Sequence, residues 1–280
     1  GLWPEGTWYW LMGDGAIVRE DRGSGDRGEQ KFVLFAAAMG EAGNPDGVWN
    51  FRRVGGVIMT VENPADEPTS WRVKQRVNPV VQATAKFGEP GQASDSWGEA
   101  IVRWSGSLYV YGVRVSADGL NKSLLLARAD DATLAEPEEW RYWTGAAWSD
   151  DPHAAAVVAE GVVDEFTIEP LHRGGRDELV LIQSEPMLGR RILARAAARP
   201  EGPWSEAKAV YEVGEVTGDK RLMTYAAKGH ATLSREGELL VSYVVNSTEF
   251  GQIFADAGLY RPRFVRVGVE RLPESRRDNE

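Results

Sequence analysis

The chain has 280 residues, 42% of them hydrophobic, enough to bury a sizeable core in one large domain or two small ones. Its 42 acidic and 32 basic residues leave a net charge of -10, which argues against a nucleic-acid partner or an anionic membrane surface, and no apolar run approaches the roughly 20 residues of a membrane helix. With no cysteine, disulfides and thiolate metal sites are excluded.

From the N-terminus, "GLWPEG" has neither a basic start nor an apolar stretch of the kind a signal peptide needs. The expected compartment is the cytoplasm, or a secreted or periplasmic location if a leader was removed before residue 1. "TWYWLM" (7–12) reads as a strand. "GAIVRE" (15–20), "KFVLFAAA" (31–38) and "GGVIMTVENP" (55–64) follow, and a Pro-containing turn then leads to Trp71. The Gly-rich "GSGDRGEQ" (23–30) between the first two fits a hairpin better than a phosphate cradle, because no helix pattern follows it.

The same order returns along the chain. "EAIVRW" (99–104), "SLYVYGVR" (107–114) and "KSLLLARADD" (122–131) precede Trp140; "EFTIEP" (165–170), "ELVLIQSE" (178–185) and "RRILARAAAR" (190–199) precede Trp204. "HATLSR" (230–235), "ELLVSYVV" (238–245) and "RPRFVRVGVE" (261–270) close the series, and "PESRRDNE" reads as a solvated tail, from about residue 271. Repeated four-strand units predict the blades of a β-propeller, read as a single domain over 1–280. "TWYWLM" resembles a second-row strand and hints at a fifth blade, incomplete at the N-terminus. The three recurring Trp residues are assigned to packing between blades.

In a propeller the first strand of each blade lines the axis, so the residues that start the first row should converge. These are Asp14, Glu99, Asp164 or Glu165, and His230, with Glu165 favoured because it aligns with Glu99 and His230. Trp97, Tyr225 and Lys228 lie just before these starts and are expected on the rim. Clustered carboxylates repel, so one acid kept protonated beside one kept ionised is expected, which is what glycoside hydrolysis requires. An aromatic rim suits sugar faces, and His230 can donate to a hydroxyl or tune an acid. Taken singly, each carboxylate also fits a turn or cap residue binding backbone N–H groups. No cofactor is called for; acids in the funnel could hold a structural Ca²⁺, although no loop has EF-hand spacing. Arg190, Arg191, Arg195 and Arg199 are expected to face solvent.

The quoted residues resemble a family. "GTWYWLMGD" (6–14), "RPEGPWSEAKAVYE" (199–212) and "GHATLSREGELLVSYVVNS" (229–247) followed by "YRPRFVRV" (260–267) are similar to the motifs of a bacterial five-bladed propeller family that includes endo-D-arabinanases of cell-wall D-arabinan. The resemblance implies a five-bladed propeller and a glycosidase. It implies that Asp14 is a catalytic acid and that His230, Asn246, Arg261 and Arg263 bind substrate. Met12 stands where the family carries Phe, and the family's inner-strand Asp before that motif has no counterpart in this sequence. Arg261 and Arg263 flank Pro262 on one strand face, fitting either a ring-closing ion pair or, for Arg261, a place in the funnel beside Asp14. The leading expectation is hydrolysis of a furanosidic glycan by Asp14 with Glu99 or Glu165. The alternatives are a non-catalytic propeller that binds carbohydrate or protein, and a lyase or isomerase of sugars.

Overall fold

The computed structural model describes residues 2–19, 29–43, 50–84 and 91–275. The first sheet holds β1 (Trp8–Trp10), β2 (Gly15–Arg19), β3 (Gln30–Glu41), β4 (Phe51–Val61) and β5 (Val73–Asn78). The second holds β6 (Ser94–Trp104), β7 (Ser107–Val115), β8 (Lys122–Ala129), β9 (Arg141–Trp143), β10 (Trp148–Ser149) and β11 (Ala159–Glu160). The third is β12 (Phe166–Arg173), β13 (Arg176–Ser184), β14 (Arg191–Ala197) and β15 (Lys208–Glu212); the fourth is β16 (Leu222–Gly229), β17 (Glu238–Ser247) and β18 (Pro262–Gly268). A short α-helix, α1 (Phe250–Ala255), joins β17 to β18. Among the described residues all strand pairings are antiparallel.

The architecture is an all-β propeller of four blades among the described residues, which corrects the five expected. "TWYWLM" does not begin a fifth blade. Its strand, β1, pairs with β3 (Trp8↔Met39, Trp10↔Ala37), and β2 continues along the same neighbour (Gly15↔Leu34). The first blade's leading strand is thus present, but split in two. The Gly-rich 23–30 stretch lies outside the described residues except for Glu29 and Gln30.

The chain divides into two compact units, Gly1–Glu160 and Gly161–Glu280, each holding two blades. The middle strands are the most apolar because they are covered on both faces. β7 and β13 are buried over nearly their whole length, and "LVLI" within β13 shows no alternation. In the first unit Phe35, Ile58, Leu125, Trp140 and Tyr142 form one core. Trp140 stacks on Phe35 at 5.7 Å, so this recurring Trp does pack between blades, and its Nε1 donates to Thr133 O at 3.0 Å. Trp71 packs within its own blade, edge-on to Phe32 at 6.0 Å.

In the second unit Ile182, Ile192, Val241 and Tyr243 lie in a core that also takes Leu272. The expected tail therefore starts later than residue 271. Arg173, paired with Glu178, donates to Val269 O at 2.8 Å and to Leu272 O at 3.4 Å, holding this segment. Residues 276–280 lie outside the described residues.

Two breaks in the leading strands shape the first unit. In β6, Trp97 lies opposite Gly112 and Ala100 opposite Tyr111, so Gly98 and Glu99 bulge from the ladder. Between β1 and β2, residues 11–14 span the place of Phe35 and Ala36 in the same way. Gly98 has φ +98°, and a Cβ there would lie 2.3 Å from Phe35 Cγ. Gly98→Ala therefore combines left-handed strain with overpacking and should cost at least about 3 kcal/mol, read as a lower urea midpoint at unchanged slope.

Candidate active site

The two breaks meet. Asp14 N–H donates to Gly98 O at 2.8 Å, and Phe35 N–H donates to Asp14 O at 3.0 Å. The Asp14 carboxylate accepts Gly15 N–H on Oδ1 at 2.8 Å and Ile101 N–H on Oδ2 at 2.9 Å. Asp14 thus clamps the leading strands of two blades. Glu99 lies between the two residues of β6, Gly98 and Ile101, that Asp14 binds. Asp14 thus binds backbone groups on both sides of Glu99, while the Glu99 carboxylate itself faces Arg53.

Glu99 is placed differently from its sequence reading. It sits mid-strand at the bulge, not at the strand mouth, because β6 extends back through "SDSW" to Ser94. It is 6% exposed and faces Arg53 of β4, 5% exposed, with Nη2 to Oε1 at 3.5 Å. Arg53 escaped the sequence reading, although an arginine entering the apolar run of "FRRVGGVIMT" is a signal of a paired buried charge. Trp97, expected on the rim, is 3% exposed and packs edge-on to Tyr142 at 5.0 Å inside the core. A second buried acid nearby, Asp95, takes Arg114 Nε at 2.8 Å and Nη2 at 2.6 Å directly across β6 and β7, a bidentate brace that raises the affinity of the guanidinium for its proton.

In the second unit the structure separates residues that the sequence aligns. "HATLSR" is not the leading strand of the fourth blade; "LMTYAAKG", β16, is. The alternation of His, Thr and Ser with Ala and Leu imitates a strand. Residues 231–233 form a 3₁₀ turn, and Ser234 Oγ donates to His230 O at 2.7 Å while accepting Leu240 N–H at 2.8 Å. β16 lies along β12, with Gly229 N–H on Thr167 Oγ1 at 2.7 Å and Ala231 N–H on Glu169 Oε2 at 3.1 Å. Glu165 directly precedes β12, and the residues flanking His230 are bonded to residues 167 and 169 of that strand. His230 Nε2 meets Ser242 Oγ at 2.7 Å, and Lys228 is its charged neighbour.

Glu165 is one of the charges around Tyr225. Tyr225 precedes a bulge in β16 at which Ala226 takes a left-handed φ of +55°. Its hydroxyl accepts Asn246 Nδ2 at 3.0 Å, and Asn246, 9% exposed, is oriented in turn by Ser247 N–H on Oδ1 at 2.7 Å. Burial first, then the phenol of Tyr260 and the charge of Glu165, push the Tyr225 phenol above its ordinary range, although the Asn246 bond opposes this. Asp164 is half-buried beside Glu165. Arg263 is a brace: Nη2 donates to Gly258 O at 2.8 Å, and Nη1 lies 3.6 Å from Glu215 Oε1, which also accepts the Tyr243 hydroxyl at 3.2 Å. The pair ties β18 to the segment before β16, correcting the expectation that it reaches the first blade. Arg261 is exposed. Among the described residues no group of three or more His, Asp or Glu is arranged to hold a metal ion.

Residues 3–270 match the profile of a domain of unknown function, DUF5005, and the chain belongs to that family. No curated protein matches it in sequence. The crystal structure of a candidate hydrolase from Bacteroides ovatus is similar, with TM-score 0.64 and 19% identity over 94% of this chain and 61% of that one. This chain therefore spans less than two thirds of that protein, and at such identity the likeness establishes the fold. Two further solved structures are similar at lower scores. One is a glycoside hydrolase, at TM-score 0.44 and 11% identity over 94% of this chain and 71% of that one. The other is an α-L-arabinofuranosidase from Lactobacillus brevis, at TM-score 0.42 and 10% identity over 90% and 66%.

The site geometry has a consequence for pH. Burial, and secondarily Lys228, hold the His230 imidazole below its ordinary range. The folded protein then binds fewer protons than the unfolded chain, so this contribution is complete above the unfolded value of about 6.5 and is lost as pH falls through the lower folded value. His230→Asn should flatten the dependence of stability on pH between about 5 and 7, measured by urea unfolding at stepped pH.

Proposed function

We propose that this DUF5005 domain is a glycoside hydrolase acting on a furanosidic glycan, with endo-cleavage of D-arabinan as its reaction. The observation that carries the reading is the pair of carboxylates, Asp14 and Glu99, at the joined strand breaks of two blades. Glycoside hydrolysis needs one carboxyl group to protonate the leaving oxygen and a second to activate water or attack the anomeric carbon. Two backbone donors suit Asp14 to the ionised role. Glu99, enclosed beside Arg53, is the second carboxyl group of the pair. The break in each strand aims these side chains out of the ladder's regular alternation, a common use of bulges near reaction centres. The resemblance of "YVVNS…YRPRF" to arabinanase motifs supports the choice of glycan.

A second reading has its own support. Both Asp14 oxygens accept backbone N–H groups and Glu99 faces a buried arginine, partners that purely structural acids also keep. A propeller that binds the glycan without cutting it fits these contacts as well.

The two readings separate on one substrate. Incubated with D-arabinan, the wild-type chain should release reducing ends, and Asp14→Asn and Glu99→Gln should each lower kcat by about 10²–10⁴-fold while binding persists. Binding of arabinan with no release by the wild type selects the second reading. Neither binding nor release on arabinan rejects the proposed substrate.

A further inference from the structure

Tyr260 opens the "YRPRF" stretch and has a backbone φ of +51°. For an aromatic residue this left-handed conformation is a genuine outlier, and glycine or asparagine would occupy it at less cost. Its N–H is committed to Val245 O at 2.8 Å, which holds its backbone beside β17. The residue is 56% exposed, and its backbone is bonded one residue along β17 from Asn246, whose amide holds the Tyr225 hydroxyl. Tyr225 is held by Asn246, and it too adjoins a left-handed non-glycine residue, Ala226. Ala227 then donates its N–H to Ser184 Oγ at 3.1 Å, and Ser184 follows Gln183, the partner of Phe166, which brings the start of β12 and with it Glu165 to this bulge. Two strained backbone positions therefore serve one group of polar side chains: a carboxylate, two phenols and a buried amide. Strain of this kind persists where a side chain is held for what it contacts.

We propose that Tyr260, with Tyr225 and Glu165, forms a hydroxyl-recognising cluster in the second unit that contacts one sugar ring of a furanosidic glycan, and that Tyr260 is its specificity-determining residue. This rests on the glycan reading above. Sugar hydroxyls both donate and accept; Glu165 accepts from them, the phenols do either, and the exposed ring of Tyr260 offers an apolar face to the C–H side of the sugar. Asn246 orients Tyr225 and makes no sugar contact.

The test uses the full chain with a linear D-arabinofuranosyl oligosaccharide as probe, reading affinity by calorimetry together with Tm. Tyr260→Asn suits the left-handed backbone and removes the ring. It should weaken binding about tenfold while Tm stays level or rises, and on a cleaved substrate the loss should fall on KM more than on kcat. Tyr260→Phe keeps the ring and loses the hydroxyl, and should fall between. If Tyr260→Asn binds as wild type does, or if Tm falls along with affinity, Tyr260 is a packing residue and the proposal is wrong. Should Tyr260→Asn fail to fold, wild-type affinity in Tyr260→Phe overturns the hydroxyl role. A wild-type chain that neither binds nor cleaves the probe overturns the glycan reading itself, and this inference with it.

Discussion

The exchange of backbone hydrogen bonds between Asp14 and the Gly98–Ile101 stretch is the constraint on which the first unit depends. It joins the leading strands of two blades through Asp14 N–H to Gly98 O and through the Asp14 carboxylate to Ile101 N–H. Both strands leave their own ladders where they meet. The bulge at Gly98 and Glu99 and the gap between β1 and β2 provide the free groups. Gly98 is required because Phe35 fills the space a Cβ would take. Once the join forms, Glu99 is carried into the interior, where Arg53 must balance it. The buried ion pair is a consequence of the backbone join; as a lone source of stability it would be weak, because desolvating both charges offsets their attraction.

The second unit solves a related problem with several side chains. Side-chain oxygens of Thr167, Ser184 and Glu169 accept the N–H groups of Gly229, Ala227 and Ala231, so β16 and the turn after it are laid against the third blade by three separate bonds. Its own bulge, at Ala226, sets Tyr225 against Asn246. Each unit thus uses an irregular leading strand to place polar groups, though the residues differ: Asp14 and Glu99 in one, Tyr225 and Asn246 in the other.

Much of this was legible in the chain. The strand rows were readable because the middle strands, such as "LYVYGV" and "LVLI", are apolar on both faces, and because Pro and Trp punctuate three units at one place. That Asp14 and the start of the second unit's first-row strand meet was readable from shared register, as the bonds of Asp14 to Gly98 and Ile101 show. Glu99 as a mid-strand residue was not: "SDSW" is polar, and only pairing with β7 makes it a strand. The role of Gly98 was legible in principle, since glycine inside a strand marks a bulge or a close approach. His230 was misplaced because period-two alternation in "HATLSR" carries the same pattern as a strand, while the 3₁₀ turn there is set by Ser234, a local hydrogen bond that hydrophobicity does not record.

The blade count separates what each level decided. Alternation, turn residues and repeat spacing are local properties, and they determined by themselves that the chain forms antiparallel sheets in series. Whether "TWYWLM" opens a new sheet or completes an old one depends on which neighbour it pairs with, and both use the same side-chain pattern. Pairing with Ala37–Met39 of β3 decided for four blades, because that edge would otherwise leave its N–H and C=O groups bare. The partners of Arg53 and Arg263 were decided the same way. A charge in a sequence shows that a counter-charge is needed; only the packed backbone brings Glu99 to one and Glu215 to the other.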